Sequence, residues 1–422
     1  MGADMLSAAR SRVNPYVLYV GIETSLAFTS ALISTTSVVY WVKSGHLGAL
    51  QLILLGTMVE LAYFFFQVPT GVVADLVSRR LCVILGVFLT ALGFLIQWIS
   101  ADFAVLLLAQ IPVGIGAALM VGAQSAWLAD ESGDTELTSV FLRAAQFALF
   151  GALAGSVLSG VLALAGLSLP FLAGGLLTGV VGLALVALMP ENHFTPPKRI
   201  ADLSVIRHGW SALTEQSKTT RIAMAAVPGL VLLLGMIFFR GLWGESFDRL
   251  WGAYLLTDIR FPDLLGLRPV TWFSVIAICV TLLSLISMEV AKRRTDKLGP
   301  SSVVGTMMAL TIATAAFAVA MAAARSFALV VIAYLAVATI RPVFAPLMNG
   351  WMIARVDSRV RATALSAVDL FDAGGQIVGG PVVGVVGALA SIRLALLAGA
   401  VALLPAVGLL VAASRRVRAY QN

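Results

Sequence analysis

Gly71-Val72-Val73-Ala74-Asp75-Leu76-Val77-Ser78-Arg79-Arg80 is a short polar step between two long apolar runs. The run before it covers 47–69 and the run after it 81–100. Each approaches the ~20 mostly apolar residues that a helix needs to cross the hydrocarbon of a bilayer. Outward from this step the same alternation reaches both ends of the chain. Ten further apolar runs lie near 14–41, 103–129, 141–165, 168–189, 228–256, 270–291, 301–323, 326–353, 362–388 and 391–413. Only the run at 228–256 is broken by several charges: Arg240, Glu245, Asp248 and Arg249. Composition demands the same solvent. Hydrophobic residues make up 60% of the chain and charged residues 12%, against about 25% charged in soluble domains. A chain this apolar has too little polar surface to cover itself in water, and lipid removes that need. The expectation is an all-α membrane protein with twelve transmembrane helices in two pseudo-symmetric six-helix bundles.

The charges between the runs set the orientation. With the N-terminus inside, inner segments hold 20 Lys and Arg, among them Arg79, Arg80, Arg143, Lys292, Arg293 and Arg294, and outer segments hold 5. This is the positive-inside bias, and it accounts for the net charge of +7 without a nucleic-acid partner. An even number of spans puts both termini in the cytoplasm. Arg10 and Arg12 precede the first run as in a signal peptide, but the run is longer than a signal core, contains Glu23 and lacks a small-residue cleavage site. It is read as a retained span. The preference for Arg over Lys, with abundant Ala, Gly, Leu and Val, suggests a bacterial genome rich in G and C, hence a multi-pass protein of a bacterial cytoplasmic (inner) membrane. The two cysteines, Cys82 and Cys279, both lie in apolar runs and are read as buried thiols. The three histidines are scattered, so no metal site and no cofactor is expected.

The organisation is bipartite: a bundle over 1–189, a cytoplasmic linker over 190–227 and a second bundle over 228–422. The linker carries Pro196 and Pro197, then Ile200, Leu203, Ile206, Trp210 and Leu213 on one helical face, which fits an amphipathic helix on the inner membrane surface. The halves echo each other at an offset of 218 residues, which relates Arg143 to Arg361 and Gly71 to Glu289. Nearly the same offset sets Glu23 opposite Arg240. A repeat of this size suggests two bundles related by an axis along the membrane normal, with a cavity between them.

On these features the chain resembles the major facilitator superfamily, over nearly its whole length. The step after the second run is similar to that family's G-x-L-A-D-R-x-G-R-[RK] signature: Gly71, Ala74, Asp75, Arg79 and Arg80 match, and Leu76 and Ser78 depart from it. The resemblance implies that these residues form a conformational latch holding one transport state, with Asp75 drawn to a helix N-terminus and Arg79 paired with Asp130. The simpler role for Arg79 and Arg80 is anchoring to anionic headgroups. Val68-Pro69-Thr70-Gly71 and Ala126-Trp127-Leu128-Ala129-Asp130-Glu131 are similar to bacterial drug and macrolide-type efflux branches. Departures from antiporter patterns are clear. Gln110-Ile111-Pro112-Val113-Gly114-Ile115-Gly116 has Gln where an arginine is usual, and Gly380-Pro381 stands in the eleventh span rather than the fifth.

Ionisable groups at bilayer depth are costly and are functional candidates by default. Glu23 and Glu60 are candidate proton-coupling residues, with a static pairing of Glu23 to Arg240 or Arg341 as the alternative. Arg240 and Arg341 are embedded cations that either neutralise a carboxylate or contact an anionic solute. With Gln110, Gln124 and Trp127 they are the substrate-cavity candidates, and Gln146, Trp243 and Trp351 join them as further possibilities. Arg361, Asp369 and Asp372 are inner-gate candidates, and Glu245, Asp248 and Arg249 suggest an outer gate.

The function expected is secondary active transport of a small molecule by alternating access: proton-coupled efflux of a drug-like or partly hydrophobic compound, by a monomer whose partners are protons, its solute and the bilayer. The alternatives are uptake of a nutrient or anionic metabolite, and a membrane receptor that binds without moving its ligand. Catalysis is not expected. No G-x-x-x-x-G-K-[ST] loop, H-E-x-x-H or paired-cysteine motif occurs.

Overall fold

The computed structural model describes residues 13–132, 137–194, 227, 229–264, 266–295, 300–356 and 361–421. The expected surface helix from Ile200 to Leu213 lies outside the described residues.

Among the described residues the structure is helical throughout. In chain order α1 is Pro15–Lys43, α2 Ala49–Leu76, α3 Arg79–Ile99, α4 Phe103–Met120, α5 Ala123–Ser132, α6 Leu137–Ala165 and α7 Leu169–Leu188. The second series is α8 Leu230–Thr257, α9 Pro269–Thr295, α10 Pro300–Ala323, α11 Phe327–Ile353, α12 Arg361–Leu389, α13 Ile392–Val401 and α14 Leu403–Gln421. They make 12 stretches long and apolar enough to cross a membrane, with α4–α5 and α13–α14 each forming one broken span. The break in the fourth span falls at Gly122, whose φ of 81° is open to a residue without a Cβ.

Helix starts are written in the sequence. Asn14 accepts from the Tyr16 N–H at 2.9 Å with Pro15 at the first helical position. Ser78 accepts from Leu81 N at 2.9 Å, Asp102 from Ala104 N at 2.9 Å, and Ser391 from Leu394 N at 3.2 Å. Each satisfies a donor that has no partner inside its own helix. Hydroxyls within the spans bond back to their own helix. Thr24 donates to Val20 O at 2.6 Å, Thr178 to Gly174 O at 2.7 Å and Thr311 to Met307 O at 2.8 Å. Each of these hydroxyl protons is met where water is absent, whereas the buried Thr57 and Ser274 hydroxyls have no partner among the described residues. Large apolar side chains such as Phe65, Phe150, Leu183, Leu329 and Val382 stand exposed on the outer surface, a surface suited to acyl chains rather than water.

The second span differs from its sequence reading. The expected loop from Gly71 is helical as far as Leu76, and α2 runs through Pro69. The Thr70 hydroxyl helps by donating to Phe66 O at 2.7 Å and lies 3.0 Å from Ala118 O of α4. The connection to α3 is therefore only Val77 and Ser78. The charges of the seventh span do not break it either; α8 is continuous.

Packing groups the chain into two compact units. One comprises Met1–His46, Met58–Gly209 and Arg268–Ile278, the other Leu47–Thr57, Trp210–Leu267 and Cys279–Asn422, each over its described residues. The start of α2 thus groups with the second unit, and the start of α9 with the first.

In the first unit α1 packs along α6, and α3 packs on α4 and α7. The α1–α6 seam is close because α6 presents glycines: a Cβ on Gly151 would strike Thr24 O, and one on Gly155 would strike Phe28 O. Thr35 and Ser156 (3.1 Å) and Thr36 and Ser159 (2.9 Å) bridge the same seam. The core gathers Ile22, Cys82, Val83, Val87, Leu128 and Met189.

The second unit repeats the scheme internally. There α8 packs along α12, and α10 packs on α11 and α14. A Cβ on Gly375 would strike Phe238 O, and one on Gly379 would strike the Leu242 side chain. Its core gathers Leu230, Leu233, Met307, Phe344, Met348 and Leu410. These glycine contacts test the repeat. Gly151 and Gly375 are 224 residues apart, whereas their partners Thr24 and Phe238 are 214 apart. The facing residues are 127 apart in the first half (Gly151 and Thr24) and 137 apart in the second (Gly375 and Phe238), so one offset cannot serve both helices of the pair. The shift arises because the segments between the paired helices differ in length by ten residues in the two halves.

Candidate functional site

The polar step that decided the sequence reading is a bolt inside the first unit. Arg79, in the first turn of α3, pairs with Asp130 of α5, donates to Ala126 O at 2.8 Å and lies 3.6 Å from Asp75. Arg80 donates to Met189 O at 2.7 Å and to Val186 O at 2.8 Å, closing the carbonyl end of α7. Two arginines at a helix N-terminus oppose its dipole, and carboxylates answer them. Besides Asp130, Glu191 accepts from Ser78 Oγ at 2.6 Å and from Arg80 N at 2.9 Å. Glu131 accepts from Asn192 N at 2.6 Å and His193 N at 2.9 Å. Asp75 itself is largely exposed. A Cβ on Gly71 would meet nothing within 4 Å, so packing here does not require that glycine.

Glu191 was not a sequence-level candidate. It follows Pro190 just past the sixth run, and nothing local marks it; only the return of α7 beside the start of α3 gives it a role.

Higher in the same unit, Glu23 is half-buried on α1. Gln124 of α5 donates to it at 2.8 Å, and Tyr19 stands one turn earlier on the same helix. Tyr19 is a second residue that the sequence did not single out, although the i, i+4 spacing was available. Glu60 is half-buried on α2, one turn before Tyr63 and two before Gln67, which bond each other at 3.0 Å. Gln110 and Trp127 lie inside the packing. Gln110 donates to Leu106 O at 2.9 Å, and the Trp127 indole donates to Pro190 O at 2.5 Å.

In the second unit the embedded charges gather on α8, α11 and α12. Arg240, Gly244 and Asp248 follow at four-residue intervals along one stripe of α8. The Arg341 guanidinium of α11 lies across that stripe at Gly244, where its Nη2 would be 3.2 Å from an added Cβ, and it pairs with Asp248. Arg240 is half-buried, with its guanidinium 3.7 Å from the Phe344 ring centroid. Asp372 of α12 acts electrostatically on both arginines and accepts from Gln376 at 2.9 Å. A Cβ on Gly241 would strike the Asp372 backbone, so α8 and α12 all but touch beside these charges. Asp369, one turn before Asp372, is exposed. Arg361 opens α12, and its side chain lies outside the described residues.

An aromatic stripe adjoins the charges. Trp243, Phe247 and Trp251 follow at four-residue intervals, and Tyr334 stacks on Phe247 at 5.6 Å and on Trp251 at 3.8 Å. Trp243 and Phe247 are buried, while Trp251 and Tyr334 are half-exposed. Trp351 is buried, with Arg355 over its ring at 4.6 Å.

Beyond this stripe, Glu245 is almost fully buried and lies 3.4 Å from Arg249. Gly56 and Gly380 make room for it. A Cβ on Gly56 would collide with both Glu245 and Arg249, and one on Gly380 would lie 3.1 Å from Glu245 Cγ.

A family model described as Major Facilitator Superfamily matches residues 22–257, from the Glu23 helix through the charged stripe of α8. The chain belongs to the major facilitator superfamily. A curated superfamily relative, the uncharacterized MFS-type transporter YxaM of Bacillus subtilis (strain 168), is 23% identical over 217 residues. That match spans 51% of this chain and 52% of the relative, about half the length of each. Among solved structures, the nucleoside transporter NupG superposes with a TM-score of 0.71 at 13% identity, covering 95% of this chain and 99% of that one. A bacterial homologue of the human lysosomal transporter Spinster, in an inward-facing and unoccupied conformation, gives 0.72 at 16%, covering 96% and 98%. At these identities the likeness establishes the fold and nothing finer.

Proposed function

We propose that this superfamily member is a secondary active transporter that moves a partly hydrophobic small molecule by alternating access, as a proton-coupled exporter of a bacterial inner membrane. In this mechanism one half, over 1–189, rocks against the other, over 228–422, and the 190–227 linker joins them in the chain. The observation that carries the reading is the gathering of Arg240, Arg341, Asp248, Asp372 and Asp369 at span depth, with Asp369 and Asp248 exposed. Charges at that depth face water or a ligand, not acyl chains. A half-exposed aromatic pair beside them suits a solute with an apolar part.

Glu23 is the proposed proton carrier. It is half-buried, with the neutral side chain of Gln124 donating to it and Tyr19 one turn away, a setting that accommodates both the protonated and the ionised carboxyl. Glu60 is the second candidate. The bolt of Arg79, Asp130 and Asp75 is the proposed conformational latch, and Arg361, Asp369 and Asp372 belong to the proposed inner gate.

Energised everted membrane vesicles carrying a pH-sensitive dye test the coupling. Addition of a transported solute should discharge the imposed gradient. Glu23→Gln should abolish the discharge while solute binding persists. Discharge by the Gln variant at the wild-type rate would remove Glu23 from the proton path, and a discharge-free wild type over a broad compound panel would count against proton coupling itself.

A further inference from the structure

Among the described residues, Arg240 has neither an ion-pair partner nor a hydrogen-bond acceptor. Its neighbour Arg341 is different, since Asp248 holds it. Asp372 is near enough to act on Arg240 electrostatically but is not within the 4.0 Å of an ion pair. A half-buried guanidinium in mid-span with unmet N–H groups is an expensive arrangement, and it persists where a ligand completes it.

The surroundings define what that ligand is. Phe344 covers one face of the Arg240 guanidinium at 3.7 Å, which leaves the in-plane fork of donors for an acceptor. A fork of this shape matches the two oxygens of an oxyanion. Gly244 lets the second guanidinium lie one helical turn away, so an acceptor at Arg240 also feels Arg341. Arg341 is already fixed by Asp248 and needs no reordering when the ligand arrives.

We infer that Arg240, with Arg341 beside it, binds an oxyanionic group of the transported solute. The substrate class is an amphipathic organic anion. This deepens the transport reading and rests on it. Asp369 marks the competing chemistry, because an exposed carboxylate one turn from Asp372 suits an ammonium group instead.

Three matched probes separate these chemistries: naphthoate, its uncharged amide naphthamide, and naphthylmethylammonium. Each is titrated against the purified full-length protein in nanodiscs while tryptophan emission is followed. Naphthoate should quench saturably, with an affinity at least about tenfold above that of naphthamide. Arg240→Gln should bring naphthoate binding down to the amide level, while a monodisperse size-exclusion peak and a melting temperature within a few degrees of the wild type report that the variant is folded. Arg240→Lys should keep part of the preference, because it keeps the charge and loses the fork. Equal binding of naphthoate and naphthamide overturns the inference, as does absence of saturable binding by all three. Tighter binding of the ammonium overturns it in favour of Asp369. Naphthoate flux into proteoliposomes tells the two readings apart. Binding without flux counts against transport and leaves the site standing. Flux undiminished in Arg240→Gln counts against the site and leaves transport standing.

Discussion

Gly375→Leu should stop the second unit from assembling, and Gly155→Leu should do the same to the first. At Gly375 an added Cβ would collide with Phe238 O and lie 2.9 Å from Leu242 N; at Gly155 it would collide with Phe28 O and lie 3.0 Å from Leu32 N. In both places the obstacle is the backbone of the facing helix, which cannot rotate away as a side chain can. Overpacking a well-filled interior costs about 1–3 kcal/mol and more when backbone must move. In lipid the loss is compounded, because helix association depends on close backbone approach rather than on hydrophobic burial. Size-exclusion profiles of detergent-extracted protein should show most of the monodisperse peak gone for each variant. Gly179→Leu is the matched control. Nothing lies within 4 Å of a Cβ there, so its profile and melting temperature should follow the wild type. A Gly375→Leu protein that extracts and melts like the wild type would show that the α8–α12 seam is not as tight as described.

Those seams also show how far the sequence could be read. Span number and approximate span ends were legible because a bilayer imposes one length and one polarity on every crossing segment. The positions of Pro15–Lys43 and Phe327–Ile353, for example, fall within a few residues of the apolar runs 14–41 and 326–353. What the runs did not contain was the register between helices. The 218-residue offset took Arg143 and Arg361 as equivalents, but equivalence is set by which glycines meet which carbonyls, and that is a property of two helices at once. The helical end of α2 was missed for a local reason: Gly71 and Asp75 look like loop residues after Pro69, and the support from Thr70 to Phe66 O and Ala118 O appears only in three dimensions. Among the charges, residue type and depth were enough to single out Arg240, Arg341, Asp369 and Asp372. Sequence alone could not say which arginine was paired. Asp248 neutralises Arg341 because Gly244 opens a path across α8, and that path exists only once α11 is packed there.

Arg79→Ala should destabilise the first unit by about 2 kcal/mol, within the 1.5–3 kcal/mol typical of hydrogen bonds to charged groups. Both partners of the Arg79–Asp130 pair are shielded, at 20% and 29% exposure, so solvent screening removes only part of the interaction. The substitution also removes the donor that Ala126 O, in the first turn of α5, meets at 2.8 Å. For a unit of this size the melting temperature should fall by roughly 4–8 °C. Asp130→Ala should cost less, because Arg79 keeps Ala126 O and turns more fully to Asp75, now 3.6 Å away. The double variant should then lose less than the two singles together. The shortfall is the coupling energy of the pair; strict additivity would mean that the two groups are neighbours without being partners. Transport separates scaffolding from latching. A bolt that only holds α3 to α5 loses rate in proportion to folded protein, so the turnover of each surviving molecule stays constant. A latch that is made in one transport state and broken in the other changes the population of those states when it is weakened. Arg79→Lys is the informative variant. It keeps the charge facing Asp130 and loses the fork that reaches Ala126 O at the same time. Its melting temperature should stay within a few degrees of the wild type while its turnover per folded molecule changes severalfold. Unchanged turnover would leave Arg79 a structural residue and would move the latch elsewhere.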